Sequence, residues 1–303
     1  MIKNRIYAIL VILSGVLWST SCIFVDLLGR WGFNSFQCSA IRILTSAIIL
    51  NAMLIIKGKG FKYYKVSLGS YVITAISGIC SVFAMCVLYY ACLTMTSAAT
   101  AAILIYTAPL FVMIMSLIFF HERLTLTKIS AFIIAIAGCA LVSGVVGEAV
   151  VSVKGIVLGV LAGFSYSLYG ILTSFYMKKN KEPLAFTAQS FIFAAIGALC
   201  IANPVEIVKK AVELPRTWLV FAVFVLFALL TSVLPFFLYS KGVSGVSAST
   251  ASILAFSEPL MAAVWGVTVL GQSLDIFGIV GIVLVVAAIV ILNLPPLKRK
   301  KTY

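Results

Sequence analysis

Glu258 lies midway along an apolar run of membrane-spanning length, and Pro259 follows it directly. It is the one carboxylate of the sequence that falls near a bilayer midplane. A charge at the centre of a spanning helix costs about 2.5–3.5 kcal/mol on insertion scales, so such a residue faces a cavity or a bundle interior. A carboxyl there can contact a solute, or take up and release a proton as its exposure changes. It can equally serve structure, bonding near the carbonyls that Pro259 frees, that of Ala255 among them. Arg42 lies two turns into the second apolar run, and Asp26 near the end of the first. The two share a similar depth across a short connection. Polar groups in lipid need partners, so an ion pair is expected; the alternative is that Arg42 holds an anionic group of a solute, such as a carboxylate.

Aromatic residues supply a second set of candidates. Trp18 and Tyr166 fall at matching mid-membrane positions, among Ser14, Gly15, Ser19, Ser165, Ser167 and Tyr169. An aromatic that deep is no interface anchor, which leaves core or cavity wall; cavity wall is the expectation, with Tyr106 alongside. Tyr89, Tyr90 and Tyr239 fall near the ends of their runs, where an aromatic belt is expected. His121 is the sole histidine, and the seven cysteines all sit inside apolar runs without CxxC spacing. Neither pattern makes a metal cluster or a disulfide framework. No Walker loop, dinucleotide fingerprint or cysteine–histidine constellation is present, so no enzyme, cofactor or metal is expected.

The elements that must position these residues can be counted. The 303 residues are 63% hydrophobic and 10% charged, with a mean hydropathy of +1.20. A soluble domain cannot hide that much apolar surface, so lipid is the solvent for most of it. Ten runs have the length to cross a hydrocarbon core: 6–28, 35–56, 69–93, 98–120, 126–146, 155–176, 184–202, 217–240, 248–270 and 275–294. The first is read as a retained helix, not a cleaved leader. The net charge of +14 is spread between the runs, which argues against nucleic-acid binding. With a cytoplasmic N-terminus, inner segments hold sixteen Lys and Arg and outer segments five. That bias places both termini in the cytoplasm, in the cytoplasmic (inner) membrane. Asn203-Pro204 begins a short amphipathic stretch in which Val205, Val208 and Val212 share a face, expected at the outer interface or as a plain connector. Gly155, Gly159 and Gly163 give the sixth run a smooth face for close packing, within the protomer by preference.

The chain also repeats itself. Ser97–Leu104 returns as Ser247–Leu254 with six of eight positions identical, and the same offset of 150 sets Pro109 on Pro259. Gly15 to Trp18 echoes Gly163 to Tyr166 at an offset of 148. Each half, 1–146 and 147–303, holds five runs. An odd number forces the second half to enter the membrane from the opposite face, giving an inverted repeat around a shared cavity. Proline in the middle of a helix removes a donor and clashes with the carbonyl four residues back, so the fourth and ninth helices open there. Paired broken helices point to a transporter's binding site, although a kink serving only packing would look the same.

Ser257-Glu258-Pro259-Leu260 with Leu270-Gly271-Gln272, and Phe120-His121-Glu122-Arg123-Leu124, resemble the paired signatures of the drug/metabolite transporter superfamily, EamA-type branch. Trp18 and Arg42 also sit where that pattern expects them, and the resemblance covers almost the whole chain. Gln272 stands where an acidic residue is usual, and His121 where glycine is. The resemblance implies an all-α, ten-helix permease that moves small organic metabolites through a central cavity. The expected activity is alternating-access transport of an amino acid or related zwitterion, written as export. Trp18, Tyr106, Pro109, Tyr166, Tyr169, Ser257, Glu258 and Pro259 are its candidate site residues, and protons its candidate coupling ion. An organic-cation exporter driven by protons through Glu258 is the nearest alternative; a non-transporting scaffold or receptor, which needs no cavity, is the third. Nothing in the sequence sets an oligomeric state.

Overall fold

The computed structural model describes residues 2–56, 60–144, 152–180, 182–273 and 275–293. Gly58, the loop cations Lys57, Lys59 and Lys181, residues 145–146 and the end from 294, with its four cations, lie outside it. Eight apolar helices are long enough to cross a bilayer: α1 (Arg5–Arg30), α2 (Ser35–Leu54), α3 (Leu68–Leu93), α4 (Ala98–Phe120), α6 (Val153–Lys179), α7 (Pro183–Ile201), α9 (Thr217–Val243) and α10 (Ala248–Thr268). Two shorter apolar helices, α5 (Leu126–Val142) and α11 (Ile276–Leu292), bring the apolar helices among the described residues to ten. The amphipathic α8 (Pro204–Glu213) lies between α7 and α9. Its Asn203 cap accepts from the Val205 amide at 3.0 Å. Ile207 and Ala211 are buried while Val205, Val208 and Val212 stay exposed. Lys210 Nζ donates to the Gly32 carbonyl and lies 5.3 Å from the Phe33 ring, tying α8 to the turn between α1 and α2.

The internal repeat carries through to backbone geometry. Ser97 and Ser247 cap α4 and α10, each accepting from an amide three residues on, Thr100 or Thr250. α4 is interrupted at Tyr106–Thr107 and α10 at Ala255–Phe256, with Pro109 and Pro259 in the first turn of each second segment. His121 and Gly271 end those helices in the left-handed conformation, at φ 52° and 68°. The next amides, of Glu122 and Gln272, return to the carbonyls of Ser116 and Gly266 at 3.2 and 2.9 Å. His121 thus stands in a position that suits glycine. α3 and α9 carry π-helical turns at Ser77–Phe83 and Leu229–Val233, which overlap at the same offset. α1 is broken at Thr20, whose hydroxyl bonds the Leu17 carbonyl at 2.7 Å, a back-bond that bends helices.

Packing follows the same exchange. α1 lies against α9 and α10, while α6 lies against α3 and α4; α5 packs on α11, and α2 on α7. Each first helix of a half therefore rests on the broken helix of the other half. Glycine makes this contact possible. A Cβ on Gly15 would collide with Ser257 Oγ and come within 2.9 Å of the Glu258 amide nitrogen and 3.3 Å of the Ala255 oxygen. One on Gly163 would lie 2.6 Å from Thr107 Oγ1 and 2.8 Å from the Leu104 oxygen. Gly155 and Gly159 abut Met95, Thr96 and Leu104, so the smooth face of α6 is spent inside the chain.

Added bulk at these two crossings must push the broken helices away. Gly15→Ala and Gly163→Ala are expected to destabilise the folded protein by about 1–3 kcal/mol, the usual cost of overpacking. Gly69→Ala, where nothing lies within 4 Å, is expected to be neutral or stabilising by up to about 1 kcal/mol, because alanine restricts the unfolded chain. Thermal unfolding of the detergent-solubilised variants measures the contrast, and equal midpoints in all three would rule out the close contacts.

Candidate functional site

A cavity of about 460 Å³ opens between α1, α2, α3, α4, α6, α9 and α10. The break in α10 builds its deepest polar feature. It sets Glu258 in the first turn after the interruption, where the carboxylate lines the cavity and accepts from the Tyr166 hydroxyl at 3.0 Å. The Ala255 carbonyl bonds the backbone amide of Glu258, at 2.9 Å, and leaves the carboxylate to Tyr166 and the cavity. The matching break in α4 brings Tyr106 to the wall of the same cavity.

Arg42 enters from α2. The structure gives Asp26 a different partner from the one expected: Asp26 Oδ2 pairs with Arg30 Nε at 2.8 Å, one helical turn away on α1. A local i,i+4 pair on an exposed helix end needs no cross-helix reach, and both side chains stay largely in the open, at 40% and 70% exposure. Arg42 instead lines the cavity with Glu258, and its Nη2 donates to Cys86 Sγ at 3.4 Å. The sequence reading separated Arg42 from Glu258; the fold puts both on one chamber.

The chamber's floor is aromatic. Trp18 meets Tyr166, Phe236 and Tyr239 at centroid separations of 6.2, 5.1 and 5.4 Å. Tyr169 packs edge-on to Phe236 at 4.7 Å, and its hydroxyl shares a hydrogen bond with that of Ser240 at 2.9 Å. Tyr239 is thus a core residue, 5% exposed, and not part of an interface belt; the contact of α1 with α9 turns its face toward Trp18. Tyr89 and Tyr90 line the cavity too. The Trp18 indole N–H is buried and has no hydrogen-bond partner in the protein. Beneath this floor lies a pocket of about 30 Å³ touched by Pro109, Tyr169, Ser252 and Ala255.

Several expected site residues stand outside the chamber. Ser257 is buried and donates to the Ile12 carbonyl at 3.0 Å, fastening α10 to α1. Pro259 is buried in α10, and Pro109 and Tyr169 border only the small lower pocket. Most of the serines that make α1 and α6 look polar bond to their own helices, Ser14 to Val11, Ser19 to Val16 and Ser167 to Phe164. Cys86, Met85 and Phe236 line the cavity without having been singled out by sequence. The repeat held one clue, since Leu88-Tyr89 matches Leu238-Tyr239.

The chain resembles known transporters along its length. An uncharacterized transporter of Clostridium kluyveri is 26% identical over 297 residues, 93% of this chain and 91% of that protein. The uncharacterized transporter YwfM of Bacillus subtilis is 28% identical over 170 residues, a match that spans about half of either protein, 56% of this chain and 55% of that one. A solved crystal structure 16% identical to it covers 95% of this chain and 97% of its own with a TM-score of 0.77, a likeness of fold. Residues 5–144 match the EamA-like transporter family, and residues 153–294 match the same family again. A multi-pass helical protein whose two halves each carry that match, and whose broken helices meet at an aromatic chamber, belongs to the EamA-like transporter family.

Proposed function

We propose that this transporter moves a small zwitterion, an amino acid or close relative, across the cytoplasmic membrane by alternating access. The carrying observation is that Arg42 and Glu258 line one cavity, together with Trp18. A guanidinium fork suits a carboxylate, and a carboxylate suits an ammonium group. The volume of about 460 Å³ falls within the range of small-molecule sites. Tyr89, Tyr90, Tyr106 and Tyr166 supply apolar faces for a side chain, with hydroxyls at their edges.

Alternating access rests on the duplication. Five apolar helices per half imply that the halves enter the membrane from opposite faces, and the exchanged packing of α1 on α10 and α6 on α4 supports that relation. The lysine and arginine bias of the loops puts both termini in the cytoplasm. Ser21, Cys22 and Val25 of α1, Ser35 of α2, Leu93 of α3 and Ala98 of α4 line the chamber at the ends remote from the N-terminus. In that orientation the chamber faces outward, and the cluster around Trp18 closes it from the cytoplasm.

The Tyr166–Glu258 hydrogen bond favours one further role. If Glu258 is protonated when Tyr166 turns away, solute and proton can exchange on the same carboxylate, which is the basis of proton coupling and of the rival cation-exporter reading. Arg42 in the same chamber opposes a bare cation and supports the zwitterion.

Purified protein in proteoliposomes decides between them. Labelled amino acids, nucleosides and cationic dyes are offered with and without a pH gradient. Arg42→Met is expected to weaken binding of a carboxylate solute by about 2 kcal/mol or more, roughly a thirtyfold rise in Kd. Glu258→Gln is expected to abolish the response of transport to the pH gradient, and equal transport by the two proteins at every pH would remove the coupling role. Transport of dyes alone, driven by the pH gradient, would favour the cation exporter, and a chain that moves no solute would favour a scaffold.

A further inference from the structure

At the opposite end of the molecule from the chamber mouth, four polar side chains join the halves. Glu122 follows the left-handed turn at His121, and Lys128 lies in the first turn of α5, with its amide on the Thr125 hydroxyl. Lys128 Nζ forms an ion pair with Glu122 Oε1 and also donates to Ser249 Oγ at 2.9 Å and Ser247 Oγ at 3.3 Å. The Ser249 hydroxyl donates to Glu122 Oε1 at 2.6 Å. Glu122 and Lys128 belong to the first half, Ser247 and Ser249 to the start of α10 in the second. Their ionic side chains are only 14% and 15% exposed, against 40% and 70% for the surface pair Asp26–Arg30. A cavity of about 830 Å³, lined by Tyr7, Phe120, Glu122, Lys178 and Ser247 among others, lies at the same end.

We infer that Glu122, Lys128, Ser247 and Ser249 are the latch of an inner gate, made while the chamber faces outward and broken each time it opens to the cytoplasm. The inference rests on the alternating-access reading. Burial works to raise the Glu122 carboxyl, but the hydrogen bonds from Lys128, Ser247 and Ser249 and the Lys128 charge outweigh it and hold the group below the usual carboxylate range. The Glu122 carboxyl is therefore held in its ionised form, and hydrogen bonds to an ionised group are the stronger kind.

The duplication makes the latch one-sided. At the offset of 150, Glu122 corresponds to Gln272, Lys128 to Gly278 and Ser249 to Ala99; only Ser247 keeps its hydroxyl, as Ser97. The second turn repeats the backbone of the first, with Gln272 returning to Gly266, yet Gln272 has neither the charge nor the lysine. The outer closure thus lacks the ionic clasp of the inner one, and the outward-open state is favoured at rest.

A reporter thiol tests this without any solute. Ser252 is 7% exposed and borders the small pocket beneath the Trp18 floor, so Ser252→Cys reports water entering from the gate side. In an S252C background with the seven native cysteines replaced by alanine, K128M and E122Q are each expected to raise the labelling rate by a soluble maleimide about tenfold, in keeping with the loss of charge-assisted bonds. S249A leaves the ion pair within the first half and removes the two shorter bonds across, keeping only the contact to Ser247, so it is expected to raise the rate severalfold. The exchange E122K/K128E is expected to bring the rate back toward the parent. Unchanged labelling in folded S249A, which loses the two shorter bonds between the halves, would overturn the latch; so would unchanged labelling in K128M. Labelling that responds as expected in a chain that moves no solute would count against the transport reading alone.

Discussion

The constraint that governs this fold is that backbone groups in lipid must find their partners within the protein. Two of its helices are broken at mid-length, and each break uncovers carbonyls and amides where water is scarce. The solution is the same twice. The break in α10 is covered by Gly15 of α1, with Ser257 donating to Ile12 across the contact. The break in α4 is covered by Gly163 of α6, with Thr107 returning its hydroxyl to Leu104 at 2.6 Å. Because each break is covered by the opposite half, neither half can bury its own irregular backbone alone. The cavity-lining carboxylate of Glu258 sits in the first turn after one of these covered breaks, so its position is fixed by a contact made for backbone reasons.

The sequence displayed the frame in proportion to how local its signals are. Ten apolar runs, paired prolines and paired serine caps are all readable from residue order, and the helices lie where those runs lie. The π-helical turns in α3 and α9 were not readable, since Leu229–Val233 carries no breaker and the lone Gly78 of Ser77–Phe83 is no more than an ordinary packing glycine by sequence. Nor was the bend at Thr20, which depends on a hydroxyl choosing its own helix. The site was legible in kind and less so in membership. Trp18, Tyr106, Tyr166 and Glu258 reach the chamber, while Ser257 and Pro259 serve the break beside it. Asp26 was matched to Arg42 by depth alone; depth does not specify direction around a helix, and the nearer Arg30 took the bond. Tyr239 was misplaced for the related reason that the end of a run need not be the end of the buried surface.

Chemistry and frame have diverged differently since the duplication. The capping serines, the prolines and the left-handed helix ends are retained in both halves. The charged groups are not. Glu258 corresponds to Ala108, Lys128 to Gly278 and Glu122 to Gln272. Nor does the half that supplies Glu258 supply a second arginine, for Arg42 enters the chamber from α2 and no cation of α7 lines it. On the proposed alternating-access reading, a frame that closes on either side in turn has reason to keep its two halves alike, because the helix breaks and their glycine covers then serve in both conformations.

A binding site at mid-membrane is under no such demand. On the same reading it is shared by the outward and inward states, so one arginine and one glutamate suffice, and duplicating them would place four ionic groups in a small chamber at a steep desolvation cost. Gates are intermediate. Each closes one side only, and giving both the same ionic clasp would balance the two states, whereas a clasp on one side alone sets a resting preference that a solute must overcome by binding the other state better. Under the proposed mechanism, the retained symmetry of backbone and the lost symmetry of charge are two consequences of one division of labour, in which the halves share the motion and the single copies decide what moves.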